Sequence, residues 1–239
     1  MKILALDSSG LVASVAYLED EVIKGVLSVN YQKTHSQTLL PMLDELVKTL
    51  NIDLNGIDYI AVSNGPGSFT GLRIGVATVK GLGLSIKKQI VGVSTLEALA
   101  LNWQGVEGIV CPIMDARRNQ VYTAAYKYTD SLPQSDEIIG PSSMEIDELV
   151  SKLDELGLKV FFTGDGVPVY EEYIEKNLKV PFAFPTASNG YQNAANVAIL
   201  GEYYAKKGEA VDAALLSPVY LRKPQAERER EAMLNDQNS

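Results

Sequence analysis

The stretch NGPGSFTGLRIGVATVKG, residues 64–81, joins the end of a predicted strand to the start of a predicted helix. A Walker phosphate loop would need a Gly-Lys pair beginning five residues after its first glycine, but Thr70 and Leu72 stand five residues after Gly65 and Gly67. The Rossmann dinucleotide pattern fails as well, because Thr70 stands where its third glycine belongs. Neither common nucleotide-binding motif is therefore present in this stretch.

The glycine-rich turn has two interpretations. The structural one is that Gly65 and Gly67 supply positive φ angles for a tight turn and that Pro66 stiffens it. The functional one is that the free N–H groups of residues 70–73, at the start of the helix, hold an anion with Arg73 beside them. The residue types favour the structural interpretation.

The helix after the turn has three faces when its residues are read at steps of three and four. The face predicted to pack on a sheet comprises Leu72, Val76, Val79, Gly83 and Ile86. The most polar face comprises Arg73, Ala77, Lys80, Leu84 and Lys87. Between them lies a face of mostly small residues, namely Gly71, Gly75, Thr78, Gly81 or Leu82, and Ser85. A neighbouring backbone could approach this small face unusually closely.

Glycines inside the helix lower its intrinsic stability. Each costs roughly 0.5–1 kcal/mol relative to alanine, so Gly75, Gly81 and Gly83 together cost about 1.5–3 kcal/mol. Close packing would offset this cost, either against a helix of residues 36–50 in the same chain or against a helix of a second protein. The sequence leaves these two alternatives open.

The remaining pattern predicts two α/β units. Residues 1–105 begin with three strands, and alternating helices and strands follow, including the helix of residues 36–50, which Pro41 should kink. An antiparallel start followed by alternation predicts a mixed sheet with helices on its faces. Residues 106–218 form a second, smaller unit, which includes the helix NAANVAILGEYYAKKG, and residues 219–239 form an extended or disordered charged tail.

Composition narrows the function classes. The chain has 239 residues, 46% of them hydrophobic, and a formal net charge of −9. A field of that sign repels a phosphodiester backbone, so direct binding of nucleic acid is not expected. The longest apolar runs are shorter than the roughly 18–20 residues of a membrane span. An N-terminus without a secretory pattern and a single cysteine predict a cytoplasmic protein.

Few residues suit catalysis. The only histidine and the only cysteine, His35 and Cys111, cannot form a zinc cluster. Ser68 lacks the flanking glycines of a nucleophile elbow, and His35 would be its only available base. Three aspartates end predicted strands, namely Asp7, Asp115 and Asp165. An aspartate there is either a magnesium ligand or an ordinary turn residue, and we predict no catalytic residue and no metal site.

The order and spacing of five segments resemble the TsaB (YeaZ) family. The segments are MKILALDSS, NGPGSFTGLRIGVATVKGLG, MDARRNQVYTAAY, TGDG and SPVYLR, and the resemblance extends to about residue 225. The glycine-rich segment is the most specific of the five. The resemblance implies the α/β fold of the actin-like ATPase (ASKHA) superfamily, with two ribonuclease H-like subdomains whose mixed sheets are flanked by helices.

The resemblance further implies a dimerisation and activating subunit that is not an enzyme by itself. Its partner would be a TsaD-type catalytic subunit, and the pair would support N6-threonylcarbamoylation of adenosine 37 in tRNAs that read ANN codons. A TsaE-type ATPase would join through the complex, tRNA would be held only indirectly, and the isolated chain would form a homodimer. No cofactor would bind tightly, so ATP or ADP would bind only within the assembled complex. The paired-histidine metal site of TsaD has no counterpart, because His35 stands alone in the matching helix.

The residues that would meet the partner also follow from the resemblance. The pairing helices correspond to residues 36–50 and 71–86, so the small face of the second helix would accept a partner helix. The implied interface comprises Leu39, Met42, Leu43, Leu46, Gly71, Arg73, Ile74, Gly75, Thr78 and Leu82. On this basis Gly75→Phe or Thr78→Phe should break pairing and leave the monomer folded.

Two other functions stay open. A small actin-like ATPase or kinase is favoured by Asp7, which matches the first phosphate motif of the superfamily, and by Gly164 and Gly166, which lie where the second would be. These three residues are weak candidates for nucleotide binding. The other alternative, a peptidase, would have to rely on His35 as its only base.

Overall fold

A computed structural model describes residues 1–31, 34–129, 131 and 133–222 of the chain. Most of the predicted charged tail, residues 223–239, lies outside the described residues. Within the described ranges, none of the helices is long and apolar enough to cross a lipid bilayer.

Five strands form the first sheet, namely β1 (Lys2–Asp7), β2 (Ala13–Glu19), β3 (Val22–Val29), β4 (Tyr59–Gly65) and β5 (Gln89–Ser94). Their order across the sheet is β3-β2-β1-β4-β5. The strands β1, β2 and β3 pair antiparallel because short turns join them, whereas β4 and β5 run parallel to β1 after helical crossovers. In register, Ala5 lies between Ala16 of β2 and Ala61 of β4.

A second sheet repeats this topology. Its strands are β6 (Ile109–Asp115), β7 (Gln120–Tyr128), β8 (Ser135–Glu145), β9 (Val160–Thr163) and β10 (Phe182–Ala183). The order is β10-β9-β6-β7-β8, again with an antiparallel run of three and two parallel strands beside it. The predicted fold class is thereby confirmed: an α/β protein with two ribonuclease H-like mixed sheets flanked by helices.

Two helices, α1 (His35–Leu50) and α2 (Phe69–Ile86), cover one face of the first sheet. Alternate residues of β1, Leu4 and Leu6, point to this face because side chains alternate along a strand. The predicted sheet face of α2 is confirmed, since Leu72, Val76 and Val79 are at most 4% exposed. The helix α1 continues through Pro41 as one element.

Four further helices complete the fold, namely α3 (Thr95–Ala100), α4 (Ile146–Leu156), α5 (Val167–Asn177) and α6 (Ala194–Lys206). The helices α4 and α5 pack on the second sheet, in the places that α1 and α2 take on the first. The short helix α3 contacts both sheets. It lies against β4 and β5 of the first sheet, and its Leu96 and Leu99 pack against Val110 and Tyr126 of the second sheet. Apolar packing around α3 therefore joins the two sheets.

The position of α6 differs from the prediction. The sequence analysis assigned residues 194–206 to the second unit, whereas α6 packs on the first sheet, on the face opposite α1 and α2. The reason is that Ile3 and Ala5 of β1 point to that face and need an apolar cover, which Val197 and Leu200 provide. The boundary near residue 105 stays a prediction for the strands, but the chain returns to the first sheet after residue 193.

Candidate functional site

The helices α1 and α2 carry the predicted partner interface, and the structure divides its residues into a buried and an accessible group. The buried group comprises Leu39, Leu43, Leu46, Gly71 and Gly75. The three leucines are 1–4% exposed, because they fill the core between α1 and the first sheet. These five residues are covered by the chain itself, and their assignment to a partner surface is corrected accordingly.

Gly71 and Gly75 pack against Ser8, which directly follows β1. The Ser8 hydroxyl donates a hydrogen bond to the Gly71 carbonyl oxygen at 2.9 Å. A Cβ atom on Gly71 would overlap the Ser8 carbonyl oxygen, and one on Gly75 would lie 2.5 Å from Ser8 Oγ. Close packing inside the chain therefore explains both glycines. The structure leads us to expect that Gly75→Phe destabilises the monomer, because the phenylalanine would have to displace Ser8, at the end of β1, from α2.

The accessible group lies on the outer side of the two helices. It comprises Met42, Arg73, Ile74, Thr78 and Leu82, of which Arg73 is exposed and the others are half-buried. Ala77 and Gly81 are exposed beside them, and no described atom lies within 4 Å of a Cβ atom built on Gly81. We call these seven residues the outer face. The sequence analysis missed Ala77, because it grouped this residue with the polar side of α2.

The side chains of the outer face are mostly apolar or small. The Thr78 hydroxyl donates to the Ile74 carbonyl oxygen at 2.8 Å within the helix, so its hydrogen bond is already made. Around it stand Met42 and Leu82, which also contact the core beneath. Such a surface can accept a helix of a second protein without leaving a polar group unpaired.

A cleft of about 470 Å³ lies between the two sheets. It forms where the carboxyl ends of the central strands meet, which is where open α/β sheets commonly bind ligands. One wall carries Ser9, Gly10, Gly67 and Ser68, and the opposite wall carries Met114, Asp115, Arg117 and Asp165. The predicted nucleotide candidates Gly164 and Asp7 adjoin these walls but do not line the cleft itself.

The Asp7 carboxylate is buried and fully engaged. Its oxygens accept hydrogen bonds from the Ser9 backbone N–H at 2.9 Å, from the Ser9 hydroxyl at 2.6 Å and from the Ser63 hydroxyl at 2.6 Å. Burial raises the pKa of Asp7, and the hydrogen bonds from Ser63 and Ser9 oppose that rise. Through its bond with Ser63, Asp7 links the end of β1 to β4.

The predicted candidates Gly164 and Gly166 also have a packing role. Gly164 has a φ of +102°, and a Cβ atom there would overlap the Ile113 carbonyl oxygen. The Gly166 backbone N–H donates to the same oxygen at 3.0 Å. The first unit has a matching contact, in which the Ser68 N–H donates to the Ser9 carbonyl oxygen at 2.7 Å. In the second unit a glycine loop thus lies directly on the central strand β6, and in the first unit it lies on the turn that follows the central strand β1.

The anion interpretation of the α2 N-terminus needs free N–H groups and Arg73, and both are partly engaged. The Ser68 hydroxyl accepts from the Gly71 N–H at 3.3 Å and caps the helix. The Arg73 guanidinium lies 3.8 Å from the centre of the Phe69 ring, and its Nε donates to the Tyr220 hydroxyl at 3.1 Å. The structural interpretation of the turn therefore accounts for these residues.

Neither His35 nor Cys111 is placed for nucleophilic chemistry. His35 Nε2 forms a hydrogen bond with the Gly10 carbonyl oxygen at 2.7 Å. The Cys111 thiol is fully buried, and burial raises its pKa to about 12. His35 links the start of α1 to the β1–β2 turn, and Cys111 packs in the core of the second sheet.

One feature escaped the sequence analysis, the turn between β6 and β7. Arg117, Arg118 and Asn119 all adopt left-handed backbone conformations, with φ angles of 66°, 57° and 57°. Three consecutive residues without glycine in this region are unusual. The segment MDARRNQVYTAAY contains these residues, but it has no glycine that would indicate a left-handed backbone conformation. The turn places Arg117 in the cleft wall, 3.7 Å from an Asp115 oxygen.

Asp165 in the cleft wall is half-buried, and its buried Oδ1 atom has no hydrogen-bond partner among the described residues. Burial is the main cause that raises the pKa of this carboxyl to about 6. The charge of Asp115 adds to the rise, and a hydrogen bond from the Asp115 backbone opposes it. The ionised carboxylate is therefore the destabilising form.

We expect Asp165→Asn to increase the free energy of unfolding at about pH 8 by about 2–3 kcal/mol, since one pKa unit corresponds to about 1.4 kcal/mol. In the wild type, the protonated carboxyl contributes its full stability below about pH 4, and this stability is lost as the pH rises through about 6. The stability difference between Asp165→Asn and the wild type should therefore vanish near pH 4. Urea unfolding at both pH values measures this. The exposed Asp136→Asn controls for the lost charge, and an equal gain at both pH values would contradict the expectation.

Comparisons with known proteins agree on one family. A family model described as TsaD, tRNA N6-adenosine threonylcarbamoyltransferase, matches residues 11–230. The tRNA threonylcarbamoyladenosine biosynthesis protein TsaB of Bacillus subtilis (strain 168) is 33% identical over 227 residues, which cover 95% of this chain and 96% of that protein. The solved structure of YeaZ from Pseudomonas aeruginosa has a TM-score of 0.78 and 29% identity, covering 92% of this chain and 99% of that one. The ethanolamine utilization protein EutJ from Carboxydothermus hydrogenoformans shares the fold, with a TM-score of 0.50 and 12% identity over 84% of this chain and 90% of that one.

Proposed function

The chain belongs to the TsaB (YeaZ) family of tRNA threonylcarbamoyladenosine biosynthesis, and we propose that it is a non-catalytic subunit that pairs with and activates a TsaD-type catalytic subunit. The similarity to a TsaB protein along almost the whole of both chains carries this proposal. The reaction served would be N6-threonylcarbamoylation of adenosine 37 in tRNAs that read ANN codons.

The outer face supports the proposed pairing. It combines half-buried apolar side chains, Met42, Ile74 and Leu82, with the small exposed residues Ala77 and Gly81. A helix of a partner can approach such a surface closely, and the apolar area it removes from water favours association. Arg73, at the edge, adds a charge that can select the partner.

The cleft supports a non-catalytic role. The strand-end carboxylate Asp7 adjoins the cleft without lining it and accepts three hydrogen bonds from the chain itself, which leaves it a poor ligand for a magnesium–phosphate group. We therefore propose that the chain binds no cofactor tightly and that ATP or ADP binds only within the assembled complex.

The assembly would have further members. In isolation the outer face would pair with a second copy of the chain, and a TsaE-type ATPase would join through the complex. The net charge of −9 suits a subunit that leaves tRNA mainly to its partners. A tRNA-modifying complex of this kind would work in the cytoplasm.

Co-expression of this chain with the TsaD-type subunit of the same organism tests the proposal. We expect the two to co-purify, and native mass measurement with and without ATP should show a complex that contains both chains. Threonylcarbamoylation of tRNA should then need both proteins. Full tRNA modification by the catalytic subunit and the other factors without this chain would refute the activating role.

The alternative function, an independent small ATPase or kinase, rests on the cleft at the carboxyl ends of the strands. ATP turnover by the purified chain, lost in Asp7→Ala, would favour it. The Asp7→Ala variant must first be shown to be folded, because the hydrogen bonds of Asp7 link β1 to β4.

A further inference from the structure

The last described part of the chain, residues 211–222, runs along the first unit and ends on the second. It begins with a pair of hydrogen bonds, both 2.9 Å long, between the backbones of Val211 and Ile90 at the edge of β5. The Lys80 ammonium of α2 then donates to the carbonyl oxygens of Ala214 at 2.8 Å and Leu216 at 2.9 Å. Leu216 itself is buried in the core. The start of this segment is therefore anchored firmly to the first unit.

Its middle part crosses the glycine-rich turn between β4 and α2. The Val219 N–H donates to the Asn64 carbonyl oxygen at 2.7 Å. Gly65, with a φ of +138°, lies so close to the Val219 carbonyl oxygen that a Cβ atom there would overlap it. The Tyr220 ring packs 4.7 Å from the Phe69 ring. The glycine in this turn thus makes room for the segment and not for a phosphate.

Its end reaches the opposite wall of the cleft. The Arg222 guanidinium donates from Nη1 to the Ala116 carbonyl oxygen at 2.9 Å. Ala116 begins the left-handed β6–β7 turn and lines the cleft together with Arg117, whereas Gly67 and Ser68 line the wall that Val219 and Tyr220 adjoin. One continuous segment therefore contacts both walls.

We propose that residues 211–222 form a latch that holds the two walls of the cleft at a fixed separation. Apolar packing around α3 connects the two sheets, and so do residues 190–194, because the Gly164 N–H donates to the Gly190 carbonyl oxygen and the Ala194 N–H donates to the Ser14 hydroxyl. The latch adds a further connection at the cleft, and each added connection opposes a hinge motion of the two walls. Loss of the Arg222 bond, or of the Tyr220 packing that positions Arg222, releases the second wall and widens the cleft.

Electron–electron distance measurement in the full chain tests the latch. Spin labels on cysteines introduced at the exposed positions Thr70 and Glu172 report the separation of α2 from α5, and the native Cys111 is fully buried and stays unlabelled. We expect Tyr220→Ala and Arg222→Ala each to give a broader distribution with a longer mean distance than the wild type.

Arg118→Ala is the matched control, because it removes an exposed arginine from the same turn without touching the latch. It should keep the wild-type distance distribution. Tyr220 is exposed and Arg222 is half-buried, and they contact opposite walls of the cleft. The unfolding midpoint of each variant verifies that it is folded. Wild-type distributions in both Tyr220→Ala and Arg222→Ala would overturn the latch, as would equal broadening in Arg118→Ala.

Discussion

Gly81→Phe is expected to weaken pairing of this chain with its TsaD-type partner at least about 30-fold while the chain stays folded. Gly81 is exposed, and no described atom lies within 4 Å of a Cβ atom built there, so the monomer has room for the ring. In the proposed complex that room belongs to the partner helix. Overpacking a well-packed contact typically costs about 1–3 kcal/mol, and about 2 kcal/mol of binding free energy corresponds to about 30-fold in Kd.

Two controls separate lost pairing from lost folding. Gly81→Ala should raise the free energy of unfolding by about 0.5–1 kcal/mol, because alanine has the higher helix propensity and meets no neighbour. Glu155→Phe places the same ring on an exposed position of α4 and should leave pairing unchanged. Titration of the labelled partner with each variant gives Kd, and wild-type affinity of Gly81→Phe would exclude the outer face as the pairing surface.

Gly71→Ala is expected to lower the free energy of unfolding by about 3 kcal/mol or more. The added Cβ would overlap a backbone oxygen, that of Ser8, which belongs to the β1–β2 turn and cannot rotate away. Either α2 must move off the sheet or β1 must shift, and overpacking of this kind costs about 1–3 kcal/mol, occasionally more. Chemical denaturation of the purified variant measures the loss.

Gly75→Ala offers a sharper test of the same packing. Its Cβ would meet the Ser8 hydroxyl at 2.5 Å, a side-chain atom that a second substitution can remove. Ser8→Ala should therefore recover part of the stability in the Gly75→Ala background, whereas it should recover little in the Gly71→Ala background, where the obstacle is backbone. No recovery in the Gly75→Ala background would show that the Ser8 hydroxyl is not the obstacle there, and equal recovery in both backgrounds would contradict a backbone obstacle at Gly71.

Helical periodicity succeeded with α2 and its sheet face. Leu72, Val76 and Val79 recur at steps of three and four, and all three are buried, Val76 and Val79 within the core on the first sheet. Periodicity tells which residues share a face, because 3.6 residues make one turn. It does not tell which molecule covers that face, so the small residues Gly71 and Gly75 were assigned to a partner although Ser8 covers them.

In the candidate site, too, the sequence indicates which residues matter and the tertiary structure shows what they contact. Asp7, Gly164 and Gly166 could be selected from their match to the phosphate motifs of the superfamily, but their partners, Ser63 and the Ile113 carbonyl oxygen, are distant in sequence or carry no side-chain signal. The latch could not be predicted from the sequence for a similar reason. Val219, Tyr220 and Arg222 bind Asn64, Phe69 and Ala116, residues more than 100 positions away, through backbone and ring contacts that leave no local pattern.

The amino-acid sequence by itself determined the fold class, the faces of α2 that pack on the sheet, and the family, because periodicity and motif spacing are local properties of the chain. Only the tertiary structure decided that α6 lies on the first sheet, that Ser8 fills the space beside Gly71 and Gly75, and that Ala77 and Gly81 stay exposed. The physical reason is that these outcomes depend on which distant surfaces are brought into contact, and a strand or helix face has the same composition whether its own chain or another protein covers it.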